Sequence, residues 1–371
     1  MNHHSFFRWC WLWLCIAAMK PMAVAEDPVR RLDTQKIDNA VKQEMEKQSL
    51  VGVSIGVIQN NSIVYVQGYG LANRQTQTPM TSKSIVNWAS CSKPLAAVRV
   101  MQLVQNGKLD LDAPIVDYLP KLPEHLQKIT TRQLLCHQSG VPHYANGFIF
   151  PGKYPDASDD RLDPLYSLSR FLNARLIFEP GTRMEYSSYA YVLLSAVIQS
   201  AGGLPMQKQI ETEMTHPLKL SSFQLDMEYA DQPDWSVGYR VVGGDIKAQP
   251  DVAHYWKHGA GGYKSNVEDF ARFTLAMMQY ELITRETSQT MWTRQKLKDD
   301  TETVYGLGVR VDGGDQSLRI WHNGSQEETK TQLVFYPEKK SGVVVMCNTY
   351  DCKTAQVISA IEKAVANGRN E

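Results

Sequence analysis

Apolar residues recur at helical spacing along residues 34–48, "TQKIDNAVKQEMEKQ", with few helix breakers, and predict an amphipathic helix. The next stretch, "GVSIGVIQNNSIVYVQGYGLAN", carries two β-branched runs on either side of Asn60-Asn61 and reads as a hairpin. An apolar helix then runs from about Ser90 to Asn106, where Gly107 is placed to cap its C-terminus. From about residue 130 to 235 the pattern is helical and loop-rich, and the polar, turn-rich run "YANGFIFPGKYPDASDDRLDP" predicts an exposed loop. Strand-like segments return near residue 237. "SNVEDFARFTLAMMQY" places Ser265 three residues before Glu268, a capping-box signature for another helix. Three late runs, "YGLGVRVD", "LRIWHNG" and "TQLVFYPEKKSGVVVMCN", read as strands, the last as a hairpin about "PEKKSG". Residues 353–366 close the pattern as a helix.

Strands at both ends with helices between them predict one sheet built from the two ends of the chain. Residues 26–128 and 236–371 would form an α/β domain, and residues 129–235 an inserted, mainly helical domain. Helices from the two outer segments would cover a sheet face, and a cleft beside the insertion is the expected place for a ligand.

The first 25 residues belong to a different class. Arg8 precedes eleven apolar residues, 9–19, and Ala23-Val24-Ala25 then offers a small-x-small cleavage site. The run is short for an ordinary membrane span. It reads as a secretory signal peptide, with an uncleaved anchor as the alternative. The expected location is therefore the periplasm or outside the cell, with no stable membrane span after cleavage.

The full chain balances 39 basic against 39 acidic residues, which gives nucleic-acid binding no electrostatic support. Removing Arg8 and Lys20 with the leader leaves 37 against 39, a formal charge of −2. Cys91, Cys136, Cys347 and Cys352 remain. A small-loop bridge between Cys347 and Cys352 and free buried thiols are both open, and spacing gives no support to Cys91–Cys136. No Cys-x-x-Cys or His-Glu-x-x-His spacing argues for a metal, and no cofactor is called for.

Three short segments carry candidate chemistry. In "NWASCSKPLAAV", Ser90 and Lys93 stand at i and i+3 at the head of an apolar helix and share one face. A serine needs a neighbouring base, and lysine can be that base once burial or a nearby cation lowers its pKa. In "FEPGTRMEYSSYAYVLLSAVI", Tyr186 follows the Pro180-Gly181 turn and leads into a second apolar helix; a phenol there can relay a proton. In "IWHNGSQEETKTQLVFYP", His322 ends a strand, Gly324 permits close backbone approach, and Ser325 offers an N–H to a developing oxyanion.

Taken in order, Ser-x-x-Lys, Tyr-x-Ser and His-x-Gly resemble the serine β-lactamase and penicillin-binding-protein superfamily, especially its class C-like, esterase and mitochondrial serine β-lactamase-like branch. The likeness extends through "NGKLDLDAPIVDYLPKLP", "TTRQLLCHQSGVPHY" and "AGGYKSNVEDFARF", over roughly residues 36 to 365. It implies a β-lactamase/transpeptidase-like α/β fold: an antiparallel sheet flanked by N- and C-terminal helices, with an inserted helical domain. It also implies Ser90 as acyl-accepting nucleophile, Lys93 and Tyr186 sharing general-base and relay work, and an oxyanion hole from the N–H groups of Ser90 and Ser325. His137 takes a structural place.

Two positions depart from the pattern. Ser188 stands where the tyrosine motif usually ends in Asn, and a hydroxyl has a shorter reach and one proton to give. His322 replaces a lysine, so a fixed cation for a substrate carboxylate is expected to be missing there. The resulting expectation is an exported serine hydrolase of esters or peptides, D-amino-acid peptides included. The alternatives are β-lactam hydrolysis and a weakly catalytic binding or assembly protein on the same fold. The partner would be a small-molecule or peptide substrate.

Overall fold

The computed structural model describes residues 1, 32–144, 152–227, 234–314 and 317–367. The leader-like segment lies outside them, apart from its first residue. From Asp33 onward the chain forms one compact unit.

The run GVSIGVIQ forms the strand Gly52–Gln59, central in its sheet and buried along nearly its whole length because helices cover both faces. It turns through Asn60 and Asn61, both at positive φ (49° and 58°), into Ser62–Asn73. Asparagine tolerates that left-handed region, which suits a two-residue hairpin. The other edge of Gly52–Gln59 pairs antiparallel with Ser341–Cys347. Strand order across the seven-stranded sheet is Thr78–Pro79, Ser62–Asn73, Gly52–Gln59, Ser341–Cys347, Thr329–Tyr336, Arg319–Gln326 and Arg310–Asp312. Both ends of the chain therefore meet in the middle of one antiparallel sheet, as the sequence pattern and the resemblance imply.

Strand alternation sends helices to both faces. Tyr65 and Tyr69, paired across from Val57 and Val53, donate their hydroxyls to Asp38 of the helix Thr34–Gln48 at 2.6 and 2.8 Å. The C-terminal helix Thr354–Asn367 packs beside that helix. Gly56, one residue from Val57, faces the other way, where a Cβ would come within 2.9 Å of Ala271 in Val267–Met278.

The N-terminus of Val267–Met278 corrects the capping expectation. Asn266, not Ser265, is the cap, its side chain accepting the Asp269 N–H at 2.9 Å. Ser265 lies in the strand Tyr263–Ser265, and its hydroxyl accepts from the Trp88 indole at 2.7 Å. Glu268 pairs instead with Lys83 at 2.6 Å.

Among the described residues between 129 and 227, the longest helix is Ser188–Gly202, buried on all sides from Ser188 to Ile198, as an all-apolar helix requires. It packs on Ser92–Gln105, which ends at Gly107 with φ 67°. Residues 152–163 form turns, and residues 145–151 of the predicted loop lie outside the described residues. No helix among the described residues is long and apolar enough to cross a membrane.

Candidate active site

Ser90 sits in the tight turn Ala89–Cys91 that leads directly into Ser92–Gln105. The turn is clamped against the sheet. Thr331 donates its hydroxyl to the Trp88 carbonyl at 2.7 Å, and Thr329 donates to the Asn87 carbonyl at 3.2 Å. Trp88 is fully buried among Phe223, Phe270 and Phe273. Ala89 takes φ 47°, a left-handed conformation that costs a non-glycine residue roughly 1–2 kcal/mol. Such strain persists where the surroundings enforce it, and here it lifts Ser90 into a cavity of about 390 Å³.

Lys93 lies beneath Ser90 and is fully buried, 0 % exposed, deeper than its place at the head of the helix suggests. Its Nζ is 3.1 Å from Ser90 Oγ, 3.2 Å from Ser188 Oγ and 2.6 Å from the Ala260 carbonyl. Burial, helped by the nearby Lys257 cation, pushes the amine well below the usual lysine range. Tyr186 donates its hydroxyl to Ser90 Oγ at 2.7 Å. Burial, with Tyr305 adding to it, holds that phenol well above its usual range, although the hydrogen bond to Ser90 opposes the shift. Lys93 is thus the group of the pair able to take a proton, and Tyr186 the one holding a proton to give. The Ala260 carbonyl can only accept, so it fixes one N–H of Lys93, and Ser188 can take a second. The lone pair of a neutral amine is then left for Ser90.

Tyr186 is placed by its neighbours. Ser187 caps the following helix by accepting the Ala190 N–H at 3.0 Å and donates to the Pro142 carbonyl at 2.9 Å. The His137 ring lies 4.4 Å from that of Tyr186, and its Nδ1 accepts the Ser187 N–H at 3.2 Å.

The strand Arg319–Gln326 forms the opposite wall. At Gly324 a Cβ would stand 2.4 Å from the Trp88 carbonyl oxygen, so only glycine lets the strand approach the nucleophile turn this closely. Ser325 lines the same cavity as Ser90, Tyr186, Ser188 and His322. His322 is buried, and burial, with Lys93 adding to it, pushes its pKa down to about 3, so the ring is neutral near pH 7. Its Nδ1 lies 2.8 Å from the Asn323 carbonyl, which can only accept, so Nδ1 carries the proton.

Sequence reading passed over several groups that also reach this cavity. Arg310 lines it from the neighbouring strand, its guanidinium carbon 4.7 Å from the Tyr305 ring centre, and no carboxylate among the described residues pairs with it. A cation is therefore present near His322 after all, delivered by the adjacent strand. His143 and Tyr144, inside the quoted "SGVPHY", line the cavity too. His143 Nδ1 accepts the Ser188 N–H at 3.2 Å, and burial with Lys93 nearby lowers its pKa to about 4. The four cysteines outside the leader are buried free thiols.

Comparison with known proteins agrees with the fold. The family model described as Beta-lactamase matches residues 37–361. Esterase EstB of Burkholderia gladioli is 30 % identical over 214 residues, covering 54 % of this chain and 53 % of its own length. The penicillin binding protein from Bacillus halodurans superposes with a TM-score of 0.72 at 25 % identity, over 87 % of this chain and 98 % of that one. The D-amino acid amidase from Ochrobactrum anthropi SV3 superposes with a TM-score of 0.75 over 90 % of this chain and 99 % of its own; at 22 % identity that likeness speaks for the fold alone.

Proposed function

The chain belongs to the beta-lactamase family, and on that premise we propose that it is a serine hydrolase that forms an acyl-enzyme on Ser90 and hydrolyses esters or peptides. One observation carries the reading: Ser90 Oγ lies 3.1 Å from a buried amine and 2.7 Å from a phenol, with opposite proton affinities. In the proposed first step, the Ser90 proton passes to Lys93 as Oγ bonds to the substrate carbonyl carbon. The carbonyl oxygen takes the negative charge, faced by the N–H groups of Ser90 and Ser325. As the intermediate collapses, the leaving group takes a proton from Tyr186, which leaves a phenolate beside protonated Lys93. Water then attacks the acyl carbon and gives a proton to the Tyr186 phenolate; Lys93 returns its proton to the departing Ser90 oxygen, and the acid is released with the site restored.

Arg310 favours substrates that carry a carboxylate near the scissile bond, because a guanidinium can grip a carboxylate by two parallel hydrogen bonds. Peptides ending in a D-amino acid fit that chemistry, as do β-lactams, which are the second reading. The likeness to an esterase supports neutral esters as a further substrate class. The reading also places the reaction outside the cytoplasm, on the leader-like residues 1–25; mass spectrometry of the exported protein should find its N-terminus at Glu26.

A fluorophosphonate should label wild type at Ser90 and leave Ser90→Ala unlabelled. Turnover of p-nitrophenyl esters, D-Ala-D-Ala peptides and nitrocefin then separates the substrate classes. Arg310→Gln should raise KM about tenfold or more for the two carboxylate substrates, the loss expected for one ionic hydrogen-bonded contact, and leave the neutral esters alone. Equal effects on all three would remove Arg310 from the proposal. Undiminished turnover by Ser90→Ala would end the acyl-enzyme reading; a wild type with neither label nor turnover would leave a binding or assembly role.

A further inference from the structure

We infer that Asp226, outside the cavity that holds Ser90, is a positioning residue: it braces both the nucleophile turn and the carbonyl that aims Lys93. The inference rests on the acyl-enzyme reading above. Asp226 is 2 % exposed and borders a separate cavity of about 410 Å³, together with Asn87, Lys264 and Glu328.

Its side chain acts through Asn87. Oδ2 accepts from Asn87 Nδ2 at 2.6 Å and from His254 Nδ1 at 2.9 Å, and Oδ1 pairs with Lys264. The far end of the same amide, Asn87 Oδ1, accepts the Ala89 N–H at 2.5 Å. An amide beside a carboxylate must turn its NH2 toward it, which forces its oxygen toward Ala89. The carboxylate thereby sets the sense of the hydrogen bond that the N–H of Ala89, the left-handed residue immediately before Ser90, makes.

Its backbone acts on Lys93. The Asp226 carbonyl accepts the N–H groups of His254 at 3.1 Å and Tyr255 at 3.0 Å. Those bonds set the start of the turn Tyr255–Ala260, whose last carbonyl accepts from Lys93 Nζ at 2.6 Å. The Asp226 N–H donates to the Gly262 carbonyl at 2.8 Å and closes the loop from the other side.

Charge holds the brace together. Burial pushes the His254 pKa down, but the hydrogen bonds its ring donates to Asp226, Glu327 and Glu328 outweigh that and raise it to about 10. Asp226, His254 and Glu328 also converge closely enough to hold a cation. Lys264 already takes Oδ1 of Asp226 while Asn87 and His254 take Oδ2, so an ammonium and an imidazolium are the counter-ions here.

The test compares Asp226→Asn and Asn87→Ala with wild type, after fluorophosphonate labelling of wild-type Ser90 has been shown. Asp226→Asn keeps the shape but loses the charge that sets the sense of Asn87. Each variant should acylate ~10–100-fold more slowly, the effect of a reacting atom misplaced by up to about 1 Å. The dissociation constant of a p-nitrophenyl ester before acylation, read from how the burst rate depends on ester concentration, should stay within about twofold. The double variant should be no slower than the slower single, because both act along one chain of contacts. Folded variants labelled at the wild-type rate, or losses that multiply in the double variant, would overturn the inference. If Asp226→Asn does not fold, Asn87→Ala decides, since it leaves Asp226 with both of its cationic partners. Failure of wild-type labelling would refute the acyl-enzyme reading instead.

Discussion

Gly324→Ala tests how closely the strand wall and the nucleophile turn must fit. The added methyl would stand 2.4 Å from the Trp88 carbonyl oxygen, 2.3 Å from Thr331 Oγ1 and 3.0 Å from Ala89 Cβ. A comfortable carbon–oxygen separation is about 3.3 Å, so something must move by roughly 0.9 Å. The Thr331 hydroxyl could rotate away, but it would forfeit its 2.7 Å bond to Trp88, worth about 1 kcal/mol. The Trp88 carbonyl is backbone and lies two residues from Ser90, so its retreat carries the nucleophile with it. Overpacking of this kind costs roughly 1–3 kcal/mol of stability. A displacement near 1 Å at the reacting atom costs on the order of 100-fold in rate, equivalent to about 2.7 kcal/mol of barrier. Stopped-flow measurement of the p-nitrophenol burst gives the acylation rate, and a thermal melt gives the stability. A burst within about threefold of wild type, with an unchanged melt, would refute the claim that Gly324 holds this separation.

Two further predictions follow from buried cations and rings. Lys257→Met removes a positive charge that destabilises protonated Lys93, so Lys93 should hold its proton to higher pH and the acid limb of kcat/KM should move to more alkaline pH; a limb that stays put or moves to acid would show that Lys257 does not tune Lys93. His258 is buried beside Ser167, and burial lowers its pKa to about 4. Its contribution is present above the unfolded value near 6.5 and is lost as pH falls from there toward 4, about 2–3 kcal/mol between pH 7 and 4.5. Urea unfolding of His258→Asn should therefore lose less stability over that interval than wild type does; equal losses would contradict this.

Much of the architecture could be read from periodicity, because the features concerned are local. Asn60-Asn61 needs only its own φ preference to make a turn, and Gly107 closes its helix for the same reason. The meeting of Ser90, Lys93 and Tyr186 was legible from the order of three short motifs. What sequence hid depends on contacts between distant segments. Ser265 has the right neighbours for a cap, yet its hydroxyl is already engaged by an indole 177 positions earlier. Arg310 and Asp226 lie in no motif. Arg310 enters the site because antiparallel pairing sets its short strand beside Arg319–Gln326, with Arg310 opposite Trp321. Asp226 matters because a three-stranded ribbon brings residues 86–87, 224–225 and 263–265 together. No window of a dozen residues contains either fact.

The pairing of Val53 with Cys347 has a consequence for how the molecule comes into being. During synthesis the earliest strand waits with one edge bare until nearly three hundred further residues have left the ribosome. Contacts of such long range are slow to form, and an uncovered edge invites pairing with other chains. A nascent chain cut short before residue 341 lacks the middle of its sheet, so it should yield no partly working enzyme. If the chain is exported as proposed, and crosses the membrane unfolded, the same delay would be an advantage.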